Sequence, residues 1–192
     1  MLAKSHLSAV VVIPPESAWG PIQAIRRHHD RQVDRWMPHL NLLYPFVPAE
    51  HFVEAGAKLE EICSATAPFG VVLGQFRFFT HPSRRSTIWL EPEPRPGFMD
   101  LHARLLRSFP QCDDTAQHPG GFTPHLSVGQ ADGPEPLRIL LEDFQQHWDP
   151  LYFNLERIAL IHREEHGPFR VVREFGLGGR GERLGEGLGV RS

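Results

Sequence analysis

Trp36-Met37-Pro38-His39-Leu40-Asn41-Leu42 returns later in the chain as Phe122-Thr123-Pro124-His125-Leu126-Ser127-Val128, the same Pro-His-Leu-polar-apolar frame used twice. Proline removes a backbone donor and drives the residue before it toward extended geometry, so each copy opens a strand. In a strand, positions i and i+2 share a face. His39 therefore projects with Asn41, and His125 with Ser127, while Leu40, Leu42, Leu126 and Val128 enter a core on the other side. Each strand thus places an imidazole and a hydrogen-bonding group where a hydrophobic sheet would normally carry Val or Ile.

Outward from these strands, Leu7 to Ile13 is a β-branched run closed by Pro14-Pro15, a buried strand. Glu16 to about Arg35 reads as a helix with Ile22 and Ile25 inward and Arg26, Arg27, Arg31 and Arg35 outward. His39 to Val47 is a strand, 49 to 65 a helix, and Phe69 to Phe79 and Thr87 to Leu90 are strands on either side of a turn. A helix over Phe98 to Phe109, a polar loop over Gln111 to Gly121 and a strand from His125 to Gln130 follow. Leu137 to Trp148 is a helix, and Leu151 to Ile161 and Phe169 to Phe175 form two final strands. Helices and strands mix without a strict βαβ rhythm, so the expected class is α+β with largely antiparallel sheets. Residues 1–177 read as a single domain; 178–192 read as a glycine-rich, disordered tail.

The chain of 192 residues carries a formal charge of -3, which argues against gripping long duplex nucleic acid by a broad basic surface. A small phosphorylated ligand or an RNA end needs only a few local cations. Lys4 and Lys58 are the only lysines among 20 basic residues, and arginine suits bidentate phosphate recognition. Cys63 and Cys112 lack CxxC spacing, so reduced thiols in a cytoplasm fit best. No apolar run approaches the ~18 residues of a membrane span.

His-x-Ser alone is uninformative: His6-Leu7-Ser8 and His81-Pro82-Ser83 also fit it. His162-Arg163-Glu164-Glu165-His166 matches an inverted zinc-peptidase pattern, but that pattern works only on a helix. Here it follows a strand and precedes Gly167-Pro168, so a hairpin is expected; His28-His29 reads as a solvated surface.

The matched frame around His39 and His125 resembles the paired His-x-Thr/Ser motifs of the 2H phosphoesterase superfamily, in its LigT-like 2′-5′ RNA ligase and cyclic-phosphodiesterase branch. The resemblance runs from residue 7 to about 177. It implies two pseudo-symmetric lobes, each a mainly antiparallel sheet with helices outside, enclosing a central cleft with one motif strand from each. It also implies opening of a 2′,3′-cyclic phosphate, or cleavage or reversible formation of a 2′,5′ linkage, on RNA ends or small nucleotides. Asn41 stands where that family usually has Thr or Ser, though an amide still donates to a phosphate oxygen.

Two imidazoles suit such chemistry because one can be neutral while the other is cationic near physiological pH, so no metal or other cofactor is expected. His39 and His125 are the candidate catalytic residues, with His125 assigned as base and His39 as acid, roles that exchange with direction. Asn41 and Ser127 are the candidate phosphate ligands. Arg35, Tyr44 and Phe122 flank the motifs as candidate substrate contacts, by phosphate binding or base stacking. A monomer is expected. The alternatives are an RNA- or nucleotide-binding module that keeps the cleft without turnover, and a metal-dependent hydrolase built on the His162 to His166 segment.

Overall fold

A computed structural model describes residues 4–82, 84–117 and 120–179. Its strands are β1 (Ser8–Val12), β2 (Leu40–Leu43), β3 (Phe69–Thr80), β4 (Arg85–Glu93), β5 (Leu126–Asp132), β6 (Leu151–Leu155), β7 (Arg157–His162) and β8 (Arg170–Gly176). The helices are α1 (Trp19–His29), α2 (Phe52–Ser64), α3 (Arg95–Ser108) and α4 (Pro134–Gln146), with single 3-10 turns at Glu16–Ala18, Ala49–His51 and Asp114–Ala116.

All strands join one 8-stranded sheet in the order β6-β3-β4-β5-β2-β1-β7-β8, every pairing antiparallel. The expectation of one sheet per lobe is corrected here. Two four-stranded halves meet at the motif strands β2 and β5, whose register consists of the pair Leu40 and Leu126. Each half is built around the same succession, β1-α1-β2-α2 in one and β4-α3-β5-α4 in the other.

Strand alternation divides the molecule into two apolar faces. Val10, Val12, Leu40, Leu42, Leu126 and Val128 join Ile22, Leu59, Leu101, Leu105 and Phe144 from the four helices in one large core. Ala9, Val11, Ala159, Ile161 and Phe169 pack on the opposite face with Trp36, Met37 and Tyr44, none of them helical. The helices cover the first face, and the second carries no helix.

Three sequence expectations change. The expected helix through Arg35 stops at His29, because the Asp30 side chain takes both the Arg26 Nε–H at 2.8 Å and the Gln32 N–H at 2.9 Å. Arg26, expected outside, is fully buried, its guanidinium satisfied by Asp30, Gln23 and the Trp36 carbonyl. The strand expected from Leu151 to Ile161 is two strands in different halves, β6 beside β3 and β7 beside β1, divided at Glu156. Burial accounts for the division: β6 alternates, whereas β7 is buried on both faces.

His28 is exposed as expected, but His29 packs edge-on against Phe144 at 5.1 Å. Its backbone lies so close to Gly129 of β5 that a Cβ there would sit 2.7 Å from His29 Cβ and 3.1 Å from its carbonyl oxygen. The end of α1 thus rests on the opposite half of the sheet. Of the expected tail, Gly178 is anchored by its N–H to the carbonyls of Cys63 and Thr66, and Gly179 to that of Ser64; 180–192 lie outside the described residues. Among the described residues no helix is long and apolar enough to cross a membrane.

Candidate active site

The motif strands repeat one burial pattern: Pro38, Leu40 and Leu42 buried with His39 and Asn41 partly exposed, then Pro124, Leu126 and Val128 buried with His125 and Ser127 partly exposed. Carried one residue each way from the Leu40 and Leu126 pair, antiparallel register sets His39 against Ser127 and Asn41 against His125. All four of these sequence-predicted residues therefore share one face at the junction of the halves.

Both histidines are fixed in the same way. His39 Nδ1 is 2.8 Å from the Met37 carbonyl oxygen and His125 Nδ1 is 2.8 Å from that of Thr123, each the residue two places earlier. A carbonyl only accepts, so each Nδ1 donates, which orients the ring and fixes the tautomer of a neutral imidazole. At His39, the Asn41 amide Nδ2 donates to Nε2 at 3.3 Å, which describes a neutral imidazole with its proton on Nδ1.

Aromatic rings hold each imidazole. His39 stacks on Trp36 with centroids 4.4 Å apart, and Trp36 stacks on Phe169 at 3.7 Å. His125 meets Phe79 edge-on at 5.0 Å and Trp89 at 5.9 Å. Trp89 is registered opposite Ser127, and its indole Nε1 is buried without a partner, as is Asn41 Oδ1. Leaving such groups unpaired costs about 1–3 kcal/mol each, a feature expected where a polar ligand completes the set.

Burial pushes the His39 pKa down to about 4. The bond to the Met37 carbonyl opposes this, the charges of Arg26 and His125 add to it, and Asp30 opposes it again.

Among the remaining predicted contacts, Tyr44 lies edge-on to Trp36 at 5.3 Å, with its hydroxyl donating to the His6 carbonyl at 3.4 Å. Arg35 adjoins the same group, its carbonyl accepting the Phe169 N–H at 2.9 Å. Phe122 is not with them: it is 4% exposed in the helix-side core and stacks flat on His102 at 3.8 Å. Sequence reasoning missed Trp36, Phe79, Trp89 and Phe169. Trp36 had a usable signal, since it occupies in the first motif the place Phe122 occupies in the second.

His162 to His166 runs from the end of β7 into the turn before β8, so its two histidines do not share a helix face. Among the described residues no group of three or more His, Cys, Asp or Glu is gathered that could hold a metal ion.

A profile of the 2′-5′ RNA ligase superfamily matches residues 14–167, most of the chain and both motif strands. The chain belongs to the 2′-5′ RNA ligase superfamily. The resemblance read from the two Pro-His-Leu frames is thereby borne out at family level. A Geobacillus kaustophilus (strain HTA426) protein named "Putative phosphoesterase" is 25% identical over 179 residues, covering 89% of this chain and 96% of that one. A crystal structure of a Thermus thermophilus protein superposes with a TM-score of 0.62 at 21% identity, covering 90% of this chain and 98% of its own. E. coli LigT complexed with phosphate superposes at 0.60 with 16% identity, covering 92% and 99%. These two structures establish a LigT-like α+β fold for this 2′-5′ RNA ligase superfamily member.

Proposed function

We propose that the chain is a metal-independent phosphoesterase that opens 2′,3′-cyclic phosphates or cleaves 2′,5′-phosphodiesters at the ends of RNA or nucleotides, with 2′-5′ ligation as the reverse direction. In this reading the two halves of the sheet act as pseudo-symmetric lobes around a cleft on the helix-free face, and the scissile phosphate sits between His39 and His125. The observation that carries it is the matched anchoring of the two rings, each Nδ1 spent on the carbonyl two residues earlier. Family membership supports phosphoester chemistry, and the phosphate complex of the LigT neighbour is consistent with an anion held in this fold.

Opening a 2′,3′-cyclic phosphate forms a bond from water oxygen to phosphorus and breaks the bond to O3′, leaving a 2′-phosphate. The water proton passes to one Nε2 and the departing O3′ takes a proton from the other. A neutral His39 with its lone pair on Nε2 suits the base, so His125 becomes the acid, reversing the roles assigned from sequence. Ser127 and the Asn41 amide donate to the non-bridging oxygens, and the unpartnered Trp89 Nε1–H supplies a third donor.

One observation favours a second reading, a nucleotide-binding module without turnover: the Asn41 amide already occupies the lone pair that the base would use. Incubation of the full chain with a nucleoside 2′,3′-cyclic phosphate in EDTA separates the readings. Conversion to the 2′-phosphate supports the proposal, binding without conversion supports the module, and activity that EDTA abolishes supports a metal enzyme.

A further inference from the structure

Besides Asn41 and Trp89, two other side chains among the described residues bury a polar atom without a partner: Arg35 and Arg163, at Nε in each case. They belong to the same corner of the fold. The Arg35 carbonyl accepts the Phe169 N–H, and the Arg163 guanidinium lies over the Phe169 ring with its carbon 5.6 Å from the centroid. Phe169 stacks on Trp36, and Trp36 on His39. A continuous row of rings therefore leads from one proposed catalytic imidazole to the Arg163 guanidinium, with the Arg35 backbone bonded to the last ring's residue.

Neither arginine forms an ion pair among the described residues, whereas Arg26, Arg31, Arg77 and Arg173 each hold a carboxylate. Arg163 is nevertheless fixed, because its Nη1 donates to the backbone carbonyls of Glu164 and Glu165. Both contacts are to backbone carbonyls, and neither Glu164 nor Glu165 forms an ion pair with Arg163 among the described residues. A guanidinium stays protonated at any physiological pH, and leaving a buried N–H without an acceptor is costly. Two such donors, on residues that both contact Phe169 and form no ion pair among the described residues, suit an anion with several acceptor oxygens. Trp36 already stacks on two rings, so it works as a spacer between the imidazole and the arginines and not as a bed for a base.

We infer that Arg35 and Arg163 bind a second phosphoryl group on the same molecule whose first phosphate lies between His39 and His125. The inference rests on the phosphate reading of the histidine pair and narrows its substrate class, from nucleotides with one phosphate to those with two. The second group is either a terminal phosphate or the next phosphodiester of an RNA strand.

Calorimetric titration of the full chain in EDTA with adenosine 3′-monophosphate, adenosine 3′,5′-bisphosphate and a diadenylate ending in a 3′-phosphate tests this. The wild type is expected to bind the bisphosphate at least about tenfold more tightly than the monophosphate, the equivalent of one good charge-assisted contact. Arg163→Gln is expected to remove that advantage while leaving monophosphate affinity unchanged, and Arg35→Gln to remove the advantage as well. If the diadenylate shares the advantage the site reads a phosphodiester, and if it does not the site reads a terminal phosphate. Equal wild-type affinities for mono- and bisphosphate overturn the inference, as does an Arg163→Gln protein that weakens both ligands alike. The wild-type comparison needs no variant to fold. Failure to hydrolyse a cyclic phosphate while the bisphosphate advantage persists overturns the catalytic reading and leaves this site standing.

Discussion

Asn41 and His39 are joined side chain to side chain, amide Nδ2 to imidazole Nε2 at 3.3 Å, so the proposed base is capped in the free protein. Substrate must displace that amide before the lone pair can take a proton. Asn41→Thr, which restores the hydroxyl usual at this place, removes the cap. A bond of this kind is worth about 1 kcal/mol, so kcat/KM on a 2′,3′-cyclic nucleotide is expected to rise about fivefold. A fall in kcat/KM would show that the amide helps and does not obstruct.

The free-protein pKa of His39 sets where activity should fail on the acid side. With that value near 4, the neutral ring persists far below the ordinary imidazole range. The profile of kcat/KM against pH reports free-enzyme ionisations and is expected to show no acid limb down to about pH 5 and to fall through pH 4. An acid limb centred near 6.5 contradicts a neutral His39 base, whereas loss of activity on the alkaline side is what a protonated His125 acid requires.

His102 provides a stability prediction independent of catalysis. It is 3% exposed, stacks on Phe122 and bonds through Nε2 to Thr115 Oγ1 at 3.0 Å; burial lowers its pKa to about 4. Between pH 6.5 and 4 the unfolded chain binds more protons at this residue than the folded one. Its contribution is therefore complete above pH 6.5, declines as pH falls toward 4, and changes no further below that. His39 acts in the same sense. In urea unfolding at pH 7 and pH 4, His102→Gln should reduce the stability lost on acidification by on the order of 3 kcal/mol. An unchanged pH dependence would place the proton elsewhere.

Arg26 and Asp30 form an ion pair at 2.8 Å with side chains only 2% and 4% exposed. Asp30 also accepts from Gln130 of β5 at 3.2 Å, and Arg26 donates to the Trp36 carbonyl at 2.8 Å, so the pair ties α1 to β5 and to the loop that leads into β2. Asp30→Ala leaves a buried charge alone and is expected to cost about 3–5 kcal/mol in urea unfolding. Arg26→Met with Asp30→Leu should recover most of that. A single-variant loss under about 1 kcal/mol would show that solvent reaches the guanidinium.

Much of this arrangement was legible in the chain because strands impose a period of two. His39, Asn41, His125 and Ser127 alternate with buried Leu and Val, and one Pro-His-Leu frame used twice marks the two strands that meet. What local pattern does not encode is partnership over long sequence distance. Residues 151–161 read as one extended run, and only pairing with β3 and then β1 reveals a change of half at Glu156. Arg26 reads as surface until Asp30 and the Trp36 carbonyl are seen to satisfy it. Phe122 and Trp36 hold equivalent places in their motifs, yet Phe122 finds His102 in the core and Trp36 finds His39 on the open face. Helices settle that choice: α3 supplies His102 to one ring, and the hairpin between β7 and β8 supplies Phe169 to the other.

The most direct measurement is turnover of a nucleoside 2′,3′-cyclic phosphate in EDTA by the wild type, His39→Ala and His125→Ala, with thermal melts recorded on the same samples. The wild type should form the 2′-phosphate, and each variant should lose about 100-fold or more in kcat while still melting cooperatively. If either variant keeps activity within a few fold of the wild type, the two imidazoles are not the acid and base, and the account fails.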